Sequence, residues 1–149
     1  MSTPLSRCRR MLAALWFGMS VALFLIVFVQ MVFSASDTYP KAAFGWLLPS
    51  TMPTLSLMVG VMAGDALGGP GKATLEASVD PGFFRLTFGV SLFYLVLLLL
   101  VLLLQPFAAR SRPELLTEAN YLLGPFQGLV AGLIGALFVK RDAKAGTTA

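Results

Sequence analysis

The sequence predicts an all-α, polytopic membrane protein: a four-transmembrane-helix bundle whose second helix is interrupted by proline. Three observations predict it. Charged residues make up 12% of the 149-residue chain and apolar residues 57%, where soluble domains carry about 25% and about 45–50%. A soluble chain this small has to cover its core with polar surface, and the mean hydropathy of +0.82 leaves too little of it. Four apolar runs are long enough for a hydrocarbon core of about 30 Å, and the basic residues gather at their ends. Residues 1–149 therefore read as one integral membrane domain, with spans at about 11–33, 43–63, 84–104 and 121–139.

The first run, from Met11 to Phe33, rises roughly 34 Å as a helix. The preceding SRCRR and the following Ser34-Ala35-Ser36 resemble the flanks of a signal peptide. An h-region of about 7–15 residues is usual for such a peptide, so the longer run is read as an uncleaved span.

The second run, Ala43 to Ala63, contains Pro49 and Pro53. Each proline lacks a backbone donor and displaces the carbonyl four residues earlier. In hydrocarbon such carbonyls need partners, which Ser50, Thr51, Thr54 and Ser56 are placed to supply. The segment reads as a kinked or broken span, with a re-entrant segment as the alternative. Broken helices form substrate and ion sites in transporters, so Pro49, Ser50, Thr51, Pro53 and Thr54 make one candidate site.

The polar stretch 64–83 holds Gly68-Gly69-Pro70-Gly71, which breaks regular structure. A short surface helix over Lys72–Val79 and a stop at Pro81-Gly82 are expected. GGPGKAT lacks the spacing of a phosphate-binding loop, and no strand precedes it.

The third span, Phe84 to Leu104, contains only leucine and valine from Leu95 onward. With no small or polar residue for close packing, that half is expected to face lipid over much of its circumference. The mixed-charge connector, 105–120, is expected to hold a short interfacial helix near Pro113–Glu118. The last span, Tyr121 to Val139, ends at Lys140-Arg141 and is followed by a flexible tail, 140–149. Pro125 reads as a first-turn residue of this helix, and Gln127 as a hydrogen-bond donor to a neighbouring helix.

Charge placement decides the topology. With four spans and both termini cytoplasmic, loop 64–83 is also cytoplasmic. Eight basic residues then lie inside (Arg7, Arg9, Arg10, Lys72, Arg85, Lys140, Arg141 and Lys144) against three outside (Lys41, Arg110 and Arg112). A re-entrant second segment would leave five inside and six outside. The first arrangement obeys the positive-inside rule and the second does not. The expected location is a cell (inner) membrane. Arg7, Arg9, Arg10, Arg85, Lys140 and Arg141 are the expected interface anchors.

The net charge of +4 fits lipid headgroups rather than nucleic acid. A single cysteine, Cys8, excludes an intrachain disulfide. It reads as a thiol at the membrane surface, with palmitoylation as the sharper alternative. The chain contains no histidine, which removes histidine-containing zinc sites and Ser-His-Asp machinery. All seven acids (Asp37, Asp65, Glu76, Asp80, Glu114, Glu118 and Asp142) fall in expected loops or the tail, whereas proton-coupled transport normally places an ionisable group within the membrane. Asp65, Lys72 and Asp80 show no diagnostic catalytic spacing. No metal, cofactor or enzymatic activity is expected.

The strongest local pattern is Gly124-x-x-x-Gly128-x-x-x-Gly132, with Ala131 and Gly135 four apart beside it. Residues four apart share a helix face, and small residues there let another backbone approach closely. The occupant is expected to be another helix of the chain or a second subunit. Gly18 and Ala22 make a weaker pair on the first span, so the first and fourth helices are expected to meet.

The function expected is that of a non-enzymatic membrane subunit or accessory protein associating through its helices with itself or an unidentified membrane partner. Spans one, two and four are expected to pack together while the third faces lipid. The alternatives are a homo-oligomeric channel or pore (effector or holin-like) and a small-molecule transporter. The lipid bilayer is the one partner common to all three.

Overall fold

The structure is a computed structural model, and it describes residues 3–33, 38–67, 78–104 and 112–139. Several expectations lie outside the described residues: the Gly68–Gly71 break, Lys72 with most of the surface helix, Arg110, Lys140, Arg141 and the tail.

The elements in chain order are β1 (Thr3–Pro4), α1 (Leu5–Phe33), α2 (Thr38–Leu67), β2 (Ser78–Val79), α3 (Pro81–Leu104) and α4 (Arg112–Val139). All four helices are long and apolar enough to cross a membrane. Thr3 and Pro4 pair antiparallel with Val79 and Ser78. This places the start of α1 and the start of α3 at one end of the bundle.

α2 is assigned as one continuous helix with both prolines inside it. Its 30 residues rise about 45 Å. α3 starts with a cap that its sequence supplies locally. The Asp80 carboxylate accepts from the Phe83 backbone N–H at 3.1 Å, and the Asp80 carbonyl accepts from Phe84 N–H at 3.1 Å. Pro81 follows at the first helical position, where its missing N–H costs nothing.

Two expectations about α4 are corrected. The helix starts at Arg112 rather than Tyr121, so Glu114 and Glu118 belong to the same helix as the span and not to a separate interfacial one. Pro125 consequently lies in the helix interior rather than in its first turn. It removes the donor that would bond the Tyr121 carbonyl.

The helices form a ring. α1 packs on α2 and α3, and α4 packs on α2 and α3, so α1 lies diagonal to α4 and α2 diagonal to α3. The third helix is therefore no lipid-facing outrider: Leu95, Leu98 and Leu102 of its leucine-valine half are fully buried. Their spacing of three and four places them on one face, while Leu100, Leu103 and Leu104 point outward. Nor do α1 and α4 meet along glycine faces. Gly18 has no atom within 4 Å of a Cβ built on it.

The core joins Leu12, Trp16, Leu23 and Val27 of α1 to Leu47 and Met58 of α2, Leu98 and Leu102 of α3, and Leu123, Val130 and Ile134 of α4. Between 28% and 33% of each candidate span is buried inside the bundle. The remainder includes exposed Val21, Leu25, Phe28, Val32, Val59, Leu92, Leu100 and Leu129, an outer surface suited to acyl chains and not to water.

Candidate functional site

The proline segment of α2 lies where three other helices converge on it. Pro53 has no N–H, so the Pro49 carbonyl loses its donor within the helix. The donor comes from α4: the Gln127 side-chain amide donates to Pro49 O at 2.8 Å. One residue on, the Ser50 carbonyl accepts the Tyr94 hydroxyl of α3 at 3.2 Å. That bond crosses the diagonal of the ring. Two hydroxyls of the segment turn back on their own helix, with Ser50 Oγ donating to Trp46 O at 2.8 Å and Thr51 Oγ1 to Leu47 O at 2.9 Å. Such back-bonds compete with the backbone ladder and are associated with bending. Thr87 of α3 makes the same bond to Phe83 O at 2.9 Å.

α1 completes the arrangement through an aromatic contact. The Trp16 ring stacks on Tyr94 with centroids 6.1 Å apart and an interplanar angle of 27°. Ser50, Thr51 and Thr54 are buried, while Pro49 and Pro53 present their rings outward. The sequence-predicted residues thus divide: the hydroxyls of Ser50, Thr51 and Thr54 face the bundle interior and the prolines face outward. Around them, Trp16 Nε1, Ser20 Oγ, Trp46 Nε1 and Ser91 Oγ are buried without a hydrogen-bond partner. The group is uncharged throughout, so the chemistry open to it is neutral hydrogen bonding. Among the described residues no group of three or more histidine, cysteine, aspartate or glutamate residues is placed to hold a metal.

Tyr94 and Trp16 were not predicted here. Trp16 carried a signal in its spacing with Leu12, Leu23 and Val27 on one face of α1. Tyr94 carried little, because an apolar stretch surrounds it evenly.

The glycine face of α4 points away from the chain. Gly124, Gly128, Ala131 and Gly132 are exposed and Gly135 half-buried. A Cβ built on any of the four glycines meets nothing within 4 Å. The opposite face of α4 packs into the core through Leu116, Leu123, Val130, Ile134 and Leu137. None of the described helices of the chain therefore occupies the groove.

Of the basic anchors that are described, Arg7, Arg10 and Arg85 are exposed. Arg9 is placed otherwise. It is 8% exposed and reaches diagonally to the end of α4, where Nη2 donates to Phe138 O at 2.6 Å and to Leu137 O at 3.2 Å. Its Nε also donates to Leu137 O, at 3.3 Å, and the guanidinium lies 5.3 Å from the centroid of the Phe138 ring. The last carbonyls of a helix lack intrahelical donors and carry its negative dipole end, so a guanidinium suits them. Arg9 shares the buried stripe of Leu12, Ala13, Trp16, Ser20, Leu23 and Val27, a pattern visible in the sequence. At the far end of α1, Gln30 donates to Leu102 O of α3 at 3.2 Å. Cys8, expected at the membrane surface, is 1% exposed.

Comparison with protein-family models, with curated proteins and with solved structures finds no match. The fold and its composition define a class, the four-helix membrane proteins, and the functional reading rests on the geometry alone.

Proposed function

We propose that this protein is a non-enzymatic membrane subunit that self-associates through the glycine face of α4. The observation that carries the reading is the contrast between the two faces of that helix. One is committed to the core, while Gly124, Gly128 and Gly132 line an open strip on the lipid side. In lipid, where apolar burial drives no association, close backbone approach across small residues is a principal source of helix pairing. A glycine face is also self-complementary, which suits a symmetric contact between identical chains. The reading includes a cell membrane location, both termini on the cytoplasmic side, and a second helix whose ladder is interrupted at Pro49 and Pro53.

A pore between copies is the less supported alternative. Its polar path would need Ser50, Thr51 and Thr54, which are buried within one bundle, and two of their hydroxyls are already bonded to their own helix. A carrier for a small uncharged or anionic molecule ranks below it.

The test is native mass spectrometry of the full chain released from lipid nanodiscs. The unaltered protein is expected as an oligomer, and Gly128→Ile with Gly132→Ile as a monomer of unchanged helicity, because the side chains enter open space. An oligomer that survives both substitutions defeats the proposal. A monomeric unaltered protein would also defeat self-association and point to a different membrane partner. Ion or dye flux in liposomes holding only this chain would favour the pore instead.

A further inference from the structure

We infer that the end of the bundle where α1 and α3 begin is a docking surface for anionic phospholipids. Arg7, Arg10 and Arg85 take their phosphates, and the apolar helix surface beyond takes their acyl chains. Every charged residue of α1 and α3 lies in the first two turns of its helix, and all of them are arginines. Contacts at both ends of the pair fix their level. Thr3 and Pro4, just before α1, pair with Val79 and Ser78, just before α3. At the far ends the Gln30 amide of α1 donates to Leu102 O of α3. The two helices therefore run parallel and nearly in register. Arg10 stands about 8 Å along α1 and Arg85 about 6 Å along α3 from their first residues, so the two share a level.

That level is the headgroup layer. α3 has 24 residues, which rise about 36 Å against a hydrocarbon core of about 30 Å. Both helices finish in apolar residues, Met31-Val32-Phe33 and Leu102-Leu103-Leu104, so the excess length falls at their charged starts. Arg7, Arg10 and Arg85 are exposed, and none of them has a hydrogen bond or ion pair among the described residues. Their charged neighbours are engaged, Arg9 with the last carbonyls of α4 and the Asp80 carboxylate with Phe83 N–H. The three guanidinium groups need not share one phosphate, because each stands at the depth of a headgroup.

Charge complementarity selects the occupant. A guanidinium pairs bidentately with a phosphate, and basic residues at a membrane surface attract anionic lipid. A zwitterionic headgroup offers the same phosphate with a cation attached, which the uncompensated arginines repel. Beyond the arginines the surface turns apolar at once: Met11 follows Arg10 and Leu86 follows Arg85, 47% and 56% exposed. A free phosphate has no use for that surface, whereas acyl chains do. The occupant is therefore a phospholipid of net negative charge. The inference does not depend on self-association, since each chain carries all three arginines.

The test reconstitutes the full chain in bilayers of equal parts phosphatidylglycerol and phosphatidylcholine with identical acyl chains. Native mass spectrometry then counts the lipids of each kind retained per chain. An excess of phosphatidylglycerol of about threefold is expected. Combining Arg7→Gln, Arg10→Gln and Arg85→Gln should bring the ratio close to one, with the helical circular dichroism unchanged. Lys41→Gln should leave the excess intact, because Lys41 is exposed at the opposite end, in the helix whose Phe44 stacks on Phe24 of α1. Inorganic phosphate added at constant ionic strength should not change the ratio; a fall would assign the surface to free anions and overturn the inference. An unaltered protein that retains both lipids equally overturns it too. So does an excess that persists in the triple variant, or one that Lys41→Gln removes as fully. If the triple variant fails to insert, Arg10→Gln and Arg85→Gln made singly decide: each should lower the excess, and no change in either refutes the assignment.

Discussion

Replacing Gln127 with leucine removes one hydrogen bond whose other partner is a carbonyl with no alternative donor in its helix. The magnitude follows from the geometry. At 2.8 Å the Gln127 amide makes a full bond to Pro49 O. Interhelical bonds in membranes average about 0.6 kcal/mol and reach about 1.7. Stranding an acceptor costs about 1–3 kcal/mol. The bond lies toward the outside of the α2–α4 seam, facing lipid and not water, so the loss should reach about 1–2 kcal/mol. The decisive comparison uses Pro53→Ala. Alanine at 53 restores the N–H that Pro49 O lost, and Pro53 is exposed, so the substitution disturbs no core packing. In that background Gln127→Leu should cost under about 0.5 kcal/mol, because the acceptor has its helical donor again. The double-mutant cycle then yields a coupling of about 1 kcal/mol, roughly a fivefold change in the unfolding equilibrium. Equilibrium unfolding in mixed micelles with increasing dodecyl sulfate, followed by far-ultraviolet circular dichroism, measures all four corners. An equal cost of Gln127→Leu with proline or alanine at 53 would refute the idea that α4 repairs the gap in α2.

Two further predictions concern single residues. Arg9→Gln should destabilise by about 2–3 kcal/mol in the same unfolding assay, since charged hydrogen bonds are worth about 1.5–3 kcal/mol each and the cap faces a helix dipole. Arg7→Gln and Arg10→Gln, both exposed, should stay within about 0.5 kcal/mol; comparable losses at all three would reduce Arg9 to a headgroup anchor. On α3, Leu98→Ala should cost about 2–4 kcal/mol and Leu100→Ala close to nothing, because Leu98 is fully buried and Leu100 is 43% exposed. Equal effects at the two positions would return the leucine-rich half to lipid.

Legibility was uneven along the chain. The start of α3 could be read only to within a few residues: Pro81-Gly82 was expected as a stop before a span from Phe84, whereas the helix opens at Pro81 with Asp80 as its cap. Gln127 could be read as a donor between helices, since an amide in hydrocarbon has few other uses. Which carbonyl it served could not be read, because Pro49 lies 78 residues away. The expectation for α4 failed at its beginning: Arg112 to Asn120 looked like a connector from its charges, yet it continues the helix. Polar residues there extend α4 beyond its apolar run without ending it, and Pro125 falls in the interior as a result.

Sequence alone determined that four helices are long and apolar enough to cross a bilayer, because hydropathy over about twenty residues measures transfer into hydrocarbon directly. It also placed glycines on one face of α4 and hydroxyls beside the prolines of α2. The tertiary structure decided which faces turn inward. In a soluble bundle that decision is written as polar against apolar, but here lipid and core are both apolar, so a leucine on either side of α3 reads the same. Leu98 went in and Leu100 out, the glycine strip stayed outside, and Arg9 turned inward to cap the end of α4. Packing and the few unmatched carbonyls made those choices, because in hydrocarbon they are the terms that distinguish one helix face from another.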